Sequence, residues 1–177
     1  MSSKLSVYIF NLGEYLAGVL RGTWVKLPVP QEDLDAILAS IGIDAQHSEY
    51  FIADTDSVLA NLHIGEHTSI GELNKLAEKL EDLPEYDFEK LAAVLEYESS
   101  TSIAEILSII EDLDDFDLLA EVDSDEALGE YYADCCGIFQ GIPDAIQRYF
   151  DFESYGRDIR LELNCCFTSY GVVVDNR

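Results

Sequence analysis

The sequence has few positively charged residues. It contains 10 Lys and Arg against 36 Asp and Glu in 177 residues, which gives a formal net charge of -26. A surface of this sign repels nucleic acid and anionic membranes, because like charges raise the barrier to encounter. The composition therefore argues against a protein that binds DNA directly.

Long hydrophobic runs are also lacking. No apolar stretch approaches the roughly 20 residues that a membrane-spanning helix needs, and residues 1–5 are too short and polar for a secretory signal. The hydrophobic content of 48% and the mean hydropathy of +0.02 are too high for a disordered acidic chain. We therefore expect a folded, soluble, cytoplasmic protein.

Residue types that commonly perform catalysis are sparse. There are three histidines: His47, and the His63 and His67 of an H-x-x-E-H pattern that resembles an inverted metalloprotease motif. Gly65 interrupts this pattern, and the helical periodicity begins only at Ser69. No glycine-rich phosphate loop or nucleophile elbow occurs. We interpret these histidines as loop residues and predict no enzyme activity, no metal and no cofactor.

The four cysteines form two adjacent pairs, Cys135-Cys136 and Cys165-Cys166, without the C-x-x-C spacing of zinc sites. Four thiolates could bind zinc if the pairs met in space. Adjacent cysteines, however, point apart on a strand and lie about 100° apart on a helix, so each pair presents its ligands awkwardly. We interpret the cysteines as reduced, buried, small hydrophobic residues.

Hydrophobic periodicity predicts an α+β chain of three small modules in an elongated series, residues 1–61, 62–113 and 114–177. The first is expected to be an antiparallel sheet with a helix, the second a helical bundle and the third a mixed α+β module. Several tyrosines in the third module favour a dimer surface there, because one end of a tyrosine is apolar and the other polar.

The predicted elements of the first module are three strands and one helix. Alternating apolar residues predict strands over residues 5–12, 23–27 and 49–53. Helical spacing extends over residues 31–41.

Helix start signals mark the central module. Ser69-x-x-Glu72 and Ser102-x-x-Glu105 have the capping-box pattern, and Pro84 is expected to end one helix and open the next.

The third module mixes both periods. It is predicted to contain a helix over residues 124–136, a helix whose first residue is Pro143, and two strands within residues 161–174 around a turn at 169–171.

Acidic residues concentrate in the middle of the chain. Residues 61–130 contain 21 acids and 3 bases, and no Lys or Arg occurs between Lys90 and Arg148. Carboxylates three or four residues apart on a helix are separated by about 4.5 to 6 Å along its axis. Each strand of a DNA duplex presents a phosphate about every 3.4 Å, a spacing of the same order. Imitation of DNA charge and a solvated or partner-binding acidic surface are both compatible with this pattern.

The segment from Tyr131 to Asp158 resembles the ArdA antirestriction family. It has the same order of an aromatic-rich helix, a glycine, a Pro-started helix ending in Tyr-Phe-Asp, and an aromatic-x-Arg-Asp segment. Residues 7–24 and 68–74 agree as well, in the family's order, whereas the cysteine pairs are not part of the pattern.

This resemblance implies a curved, elongated homodimer joined through its C-terminal modules. It implies that the protein imitates bent B-DNA and occupies the DNA-binding groove of type I restriction-modification enzymes, which combine a methyltransferase core with a specificity subunit. Such a protein acts in the bacterial cytoplasm and protects incoming plasmids, transposons or phage DNA. An acidic adaptor or chaperone for another basic protein is the alternative function.

Two sets of candidate residues follow. The acidic set contains the carboxylates expected to replace DNA phosphates collectively: Glu96, Glu98, Glu105, Glu111, Asp112, Asp114, Asp115, Asp117, Glu121, Asp123, Asp125, Glu126, Glu130 and Asp134. The dimer set contains residues of the family-like segment that are expected either at the dimer interface or only as part of the family motif: Tyr131, Tyr132, Ile142, Pro143, Tyr149, Phe150, Tyr155, Arg157 and Asp158.

Overall fold

The computed structural model describes residues 3–44, 49–59, 62–99 and 102–177. Over these ranges the chain is mixed α+β, with two small antiparallel sheets and eight α-helices. The α+β class predicted from the periodicity is therefore confirmed. None of the described helices has the length and apolar character needed to cross a bilayer.

The elements have the following bounds. The strands are β1 (Leu5–Asn11), β2 (Gly22–Leu27), β3 (Tyr50–Ser57), β4 (Phe116–Leu119), β5 (Cys165–Thr168) and β6 (Gly171–Asp175). The helices are α1 (Leu12–Leu16), α2 (Gln31–Ser40), α3 (Ile70–Asp82), α4 (Glu85–Glu98), α5 (Ile103–Glu111), α6 (Asp125–Cys135), α7 (Asp144–Gln147) and α8 (Phe152–Glu162).

The chain divides into two compact units. The first unit contains Met1–Pro84 and Ser100–Ile110, and the second contains Glu85–Ser99 and Glu111–Arg177. Helix α4 thus belongs to the second unit, although α3 and most of α5, its neighbours along the chain, belong to the first. The division into three modules stays a prediction.

The first unit contains a sheet in the order β2-β1-β3, in which both pairs of strands are antiparallel. All three strands predicted for this region are confirmed, and β3 extends to Ser57, beyond its predicted end. Residues 54–57 at this end of β3 are polar and therefore show no hydrophobic alternation. Val7, Ile9 and Val25 are fully buried and lie on one face of the sheet, which forms part of the core of the unit.

The predicted helix boundaries around Pro84 and Ser102 are confirmed. Helix α3 ends two residues before Pro84, and α4 begins directly after it. The capping box before α5 is complete: the Glu105 N–H donates to Ser102 Oγ, and the Ser102 N–H donates to the Glu105 carboxylate, each at 3.2 Å. At the start of α3, Ser69 Oγ accepts from the Gly71 N–H at 3.2 Å.

The second unit contains a sheet in the order β4-β6-β5, and α4 packs against all three strands. The predicted β5–β6 hairpin is confirmed, with Phe116 of β4 and Val172 and Val173 of β6 fully buried. The sequence gives no prediction for β4, since its short pattern lies inside an acidic run.

Three predicted boundaries near the C-terminus are wrong. The strand expected from Leu161 begins only at Cys165, because Leu161 and Glu162 form the last turn of α8. Helix α7 starts one residue after Pro143 rather than at it. Pro143 has an extended backbone and is the N-cap, and α7 ends at Gln147, so the helix also stops before the Tyr149-Phe150-Asp151 segment at which it was expected to end.

The interpretation of the cysteines as buried is wrong for three of them. Cys135, Cys136 and Cys166 are exposed, Cys165 is half-buried, and all four thiols are free. Cys135 and Cys136 occupy the C-terminal end of α6, where the last turn faces solvent, and Cys166 alternates outward from Cys165 along β5.

Candidate functional site

The acidic set lies almost entirely in the second unit. Glu105 belongs to the first unit, and the other thirteen members belong to the second. The second unit contains 22 acidic and 5 basic residues, a net charge of -17, whereas the first contains 14 and 5, a net charge of -9. The densest negative charge therefore belongs to one compact unit.

The acidic run between α5 and β4 is held outward by two buried hydrophobic residues. Leu113 and Phe116 anchor this short segment in the core, and a single 3-10 turn, Leu113–Asp115, lies between the helix and the strand. The four aspartates that surround the two anchors are all exposed: Asp112, Asp114, Asp115 and Asp117. The alternation of anchors and acids thus displays carboxylates from a fixed backbone.

Helix α6 displays a line of acids on one face. Ser124 caps the helix, its Oγ accepting from the Ala127 N–H at 3.2 Å. Glu126, Glu130 and Asp134 are all exposed, follow one another at intervals of four residues and form no ion pair with any described residue. Each step rises about 6 Å along the helix, and like-charged pairs at this spacing cost about 0.2 to 0.5 kcal/mol each.

Two members of the acidic set form ion pairs within the chain. The Arg160 guanidinium donates to both carboxylate oxygens of Asp125, at 2.7 and 3.1 Å, and these bonds hold the pKa of the Asp125 carboxyl below its usual value. Glu98 is paired with Arg177, which also binds Asp175 at 2.9 Å and lowers the pKa of Asp175 to about 2. The charge of Asp125 is therefore balanced by Arg160, whereas Glu98 and Asp175 share the single positive charge of Arg177.

Three further members accept hydrogen bonds that fix local structure. Glu96 accepts from the N–H and Oγ of Ser169, at 2.8 to 3.2 Å, and so ties α4 to the β5–β6 turn. Asp117 accepts from Asn176 Nδ2 at 2.9 Å, and Glu105 completes its capping box. These carboxylates have structural partners, and Glu111 also has an interaction within the chain.

The remaining members, which we call the open acidic residues, receive no side-chain hydrogen bond or ion pair from the part of the chain that the structure describes. All of them are exposed and lie in the second unit: Asp112, Asp114, Asp115, Glu121, Asp123, Glu126, Glu130 and Asp134. Sequence spacing alone does not separate them from the paired members.

Three members of the dimer set line an apolar groove in the second unit. Ile142, Tyr149 and Phe150 line this groove, whose volume is about 250 Å³. Ile138 and Ile146 line it as well, although they are not in the predicted set; both are apolar residues of the family-like segment, which is the signal that could have identified them. The groove therefore unites part of the dimer set with residues that sequence reasoning omitted.

The other six members of the dimer set do not line this groove. The Tyr155 ring packs edge-on against Phe150 at a centroid distance of 5.4 Å. Tyr131 and Tyr132 pack against each other on α6, also at 5.4 Å, and burial raises the pKa of Tyr132. The other three members are exposed: Pro143 before α7, and Arg157 and Asp158 on α8.

The histidine motif does not form a helical metal site. His63 and His67 are exposed in the loop before α3, as interpreted from the sequence, and His47 lies outside the described residues. Within residues 3–44, 49–59, 62–99 and 102–177, no group of three or more His, Cys, Asp or Glu side chains is arranged to hold a metal ion.

Comparison with known proteins gives one family. A family model described as "Antirestriction protein (ArdA)" matches residues 7–174 of the chain. The matched range includes the whole acidic set, the whole dimer set and both sheets apart from Leu5 and Ser6 of β1 and Asp175 of β6. The comparison with curated proteins finds no match.

Proposed function

Because the chain belongs to the ArdA family of antirestriction proteins, which act against type I restriction enzymes, we propose that it inhibits such an enzyme by imitating DNA. In this proposal its carboxylates occupy the positions of phosphates in the DNA-binding groove formed by the methyltransferase core and its specificity subunit. Lys and Arg side chains of the groove pair with them, and no bond is made or broken. The inhibitor acts in the cytoplasm of a bacterial host and protects incoming mobile DNA.

The open acidic residues are the observation that carries this proposal. They are unpaired within the described chain, so their charge is available to a basic partner. On α6, one step of about 6 Å between successive acids covers about two phosphates of one DNA strand. The acids thus provide a charge pattern on the length scale that a DNA-binding groove recognises.

We also propose that the inhibitor is a homodimer joined through the apolar groove. Ile146 and Tyr149 are exposed at the groove, and an apolar surface of this kind favours a protein contact. Three of the five bases of the second unit, Arg148, Arg157 and Arg160, lie in the same part of the chain, so the repulsion between two copies is smallest there.

The number of carboxylates also relates the dimer to a length of DNA. Because each base pair has two phosphates, the 36 carboxylates of one chain correspond to about 18 base pairs, and those of two chains correspond to about 36 base pairs.

A competition experiment tests the proposed inhibition. A type I methyltransferase is mixed with its labelled cognate duplex and titrated with this protein at low and at moderate salt. We expect displacement of the duplex at low salt and a steep loss of affinity as salt rises, because the attraction is electrostatic. Absence of competition at low salt would contradict DNA imitation, and tight binding to a basic protein without competition by duplex would favour the acidic adaptor.

Substitution in the groove tests the dimer. Tyr149→Asp introduces a charge at an exposed apolar position, and we expect it to raise the dimer dissociation constant at least about tenfold because a carboxylate would be desolvated at the interface. Sedimentation equilibrium measures this constant. Tyr86→Asp, at an exposed tyrosine of α4, is the matched control and should leave it unchanged. Equal dissociation constants for both variants would place the dimer contact elsewhere.

A further inference from the structure

The first unit has an aromatic surface that the acidic set does not explain. The face of its sheet opposite to the core contains Tyr8 and Phe10 of β1, Trp24 of β2 and Phe51 of β3, and Tyr15 of α1 packs beside them. Trp24 lies opposite Tyr8, and Phe51 lies opposite Phe10, so the strand register puts their side chains together. We call these five residues the aromatic face.

Ring contacts hold the aromatic face in one arrangement. Tyr8 packs edge-on against Trp24 at a centroid distance of 5.4 Å, and Phe10 stacks on Phe51 at 5.6 Å. The Tyr15 ring packs edge-on against Phe51 at 5.0 Å. Such pairs are worth about 0.5 to 1.5 kcal/mol each beyond the area they bury. The surface is therefore formed before any partner binds, which reduces the entropy that binding costs.

Two members of the aromatic face are exposed to solvent, and two exposed aliphatic residues follow Tyr15 along the chain. Tyr15 is 46% exposed and Trp24 is 45% exposed. Directly after Tyr15, Leu16 is 78% exposed, and Leu20 follows at 74%. Large contiguous apolar patches on soluble proteins mark interaction sites, whereas single exposed apolar residues do not.

The charged residues around the aromatic face indicate which kind of partner it can bind. Asp54 lies opposite Tyr8, and Asp56 lies opposite Ser6, so the β3 edge of this surface is acidic, while Lys26 is the base at the β2 edge. The first unit has a net charge of -9, so two copies of this acidic surface would repel each other if they met face to face, and a basic partner is favoured here. An arginine-bearing surface is attracted by both the aspartates and the rings, because a guanidinium binds favourably over an aromatic face.

We propose that the aromatic face binds an apolar, arginine-bearing protein surface on the restriction enzyme that the acidic set inhibits. This inference rests on the proposed function and extends it: the acids imitate DNA, and the aromatic face supplies a contact that DNA itself does not make. The two contributions respond differently to salt. Pairing of carboxylates with basic residues weakens steeply as salt rises, whereas burial of aromatic surface does not.

The test compares exposed aromatic residues on and off this face. Dissociation constants for a type I methyltransferase are measured over a series of salt concentrations for the wild-type protein and for Tyr15→Ala and Trp24→Ala. Each variant is expected to bind about tenfold more weakly, with an unchanged slope of log Kd against log salt. Tyr86→Ala, at a 78% exposed tyrosine of the second unit, is the matched control and should bind as the wild type does.

A second variant separates binding from folding. Leu16→Ser with Leu20→Ser changes two side chains that are mostly in water, so its Tm should equal that of the wild type while its affinity falls about tenfold. Wild-type affinity for this double variant would overturn the inference. Aromatic variants that change only the oligomeric state in sedimentation would also overturn it, because the face would then bind a second copy.

The wild-type protein distinguishes failure of the inference from failure of the proposed function. If the wild-type protein does not bind the enzyme, the proposed function fails and the inference fails with it. If the wild-type protein binds and the variants bind equally well, the inference alone is overturned.

Discussion

The triple variant Glu126→Gln, Glu130→Gln and Asp134→Asn is expected to bind a type I methyltransferase about 100-fold more weakly than the wild type at low salt. These acids are exposed, lie on one face of α6 and have no partner among the described residues, so their full charge is available to the enzyme. Each lost contact with a basic residue reduces the binding free energy by about 1 kcal/mol or more, and about one counterion fewer is released on binding. The slope of log Kd against log salt should therefore fall by about 3, which a salt series of binding measurements checks.

The matched control removes the same charge from the first unit. Glu72, Glu78 and Glu81 of α3 are also exposed, and their replacement with Gln lowers the net charge equally. If binding depended on total charge alone, both triple variants would lose affinity alike, and the assignment of the second unit as the DNA-imitating surface would be wrong. Single substitutions among these α6 or α3 acids should have small effects on affinity, because the attraction is spread over many carboxylates.

The same substitutions on α6 should preserve or raise stability. Repulsion between acids four residues apart costs the helix about 0.2 to 0.5 kcal/mol per pair, and amide side chains remove it. An affinity lost without a loss of stability therefore separates a binding role from a structural one. Replacement of Asp125 should instead lower the stability, because the Arg160 guanidinium would lose the two hydrogen bonds that it donates to this carboxylate.

The sequence predicts elements well where apolar residues alternate between clear turn signals. Such patterns identify β1 and β2, and the Ser102 and Glu105 pair identifies the start of α5. Strand β4 is missed because its core residue Phe116 stands among aspartates, so its short alternation is hidden by charge. Helix boundaries near Leu161 are missed because an exposed apolar residue can belong to either a strand or the last turn of a helix.

The pairing of the acids could not be predicted from the sequence. Asp125 and Arg160 are 35 residues apart, and only the packing of α6 against α8 brings them within hydrogen-bond distance. Composition and spacing identify where carboxylates are dense. Which of them retain a free charge depends on tertiary contacts, and the open acidic residues are defined by those contacts.

The aromatic face could not be predicted either, although each of its strands could be. A strand pattern assigns residues to two faces, and both faces of this sheet are largely apolar or aromatic. Only the positions of the surrounding helices decide which face is covered. Val7 and Ile9 are buried, whereas Trp24 keeps 45% of its surface exposed.

Helices α6 and α8 approach each other so closely that two glycines are required between them. A Cβ atom on Gly156 would overlap the carbonyl oxygen of Asp125 and lie 2.6 Å from the backbone nitrogen of Gly129. A Cβ atom on Gly129 would overlap the carbonyl oxygen of Phe152. The obstructing atoms belong to the backbone, so a side-chain rotation cannot relieve the overlap, and the helices would have to separate.

Gly156→Ala is therefore expected to destabilise the second unit by more than about 3 kcal/mol, at the upper end of the range for overpacked sites. Separation of α6 from α8 would also break the Asp125–Arg160 pair and weaken the packing of Leu128 in the core. Urea unfolding followed by circular dichroism measures the change. Gly71→Ala in the first turn of α3 is the matched control: its Cβ would lie 3.4 Å from Ser69 Oγ, and alanine there should be neutral or stabilising by up to about 1 kcal/mol. A Gly156→Ala variant as stable as the Gly71→Ala variant would contradict the close helix contact on which the arrangement of the α6 acids depends.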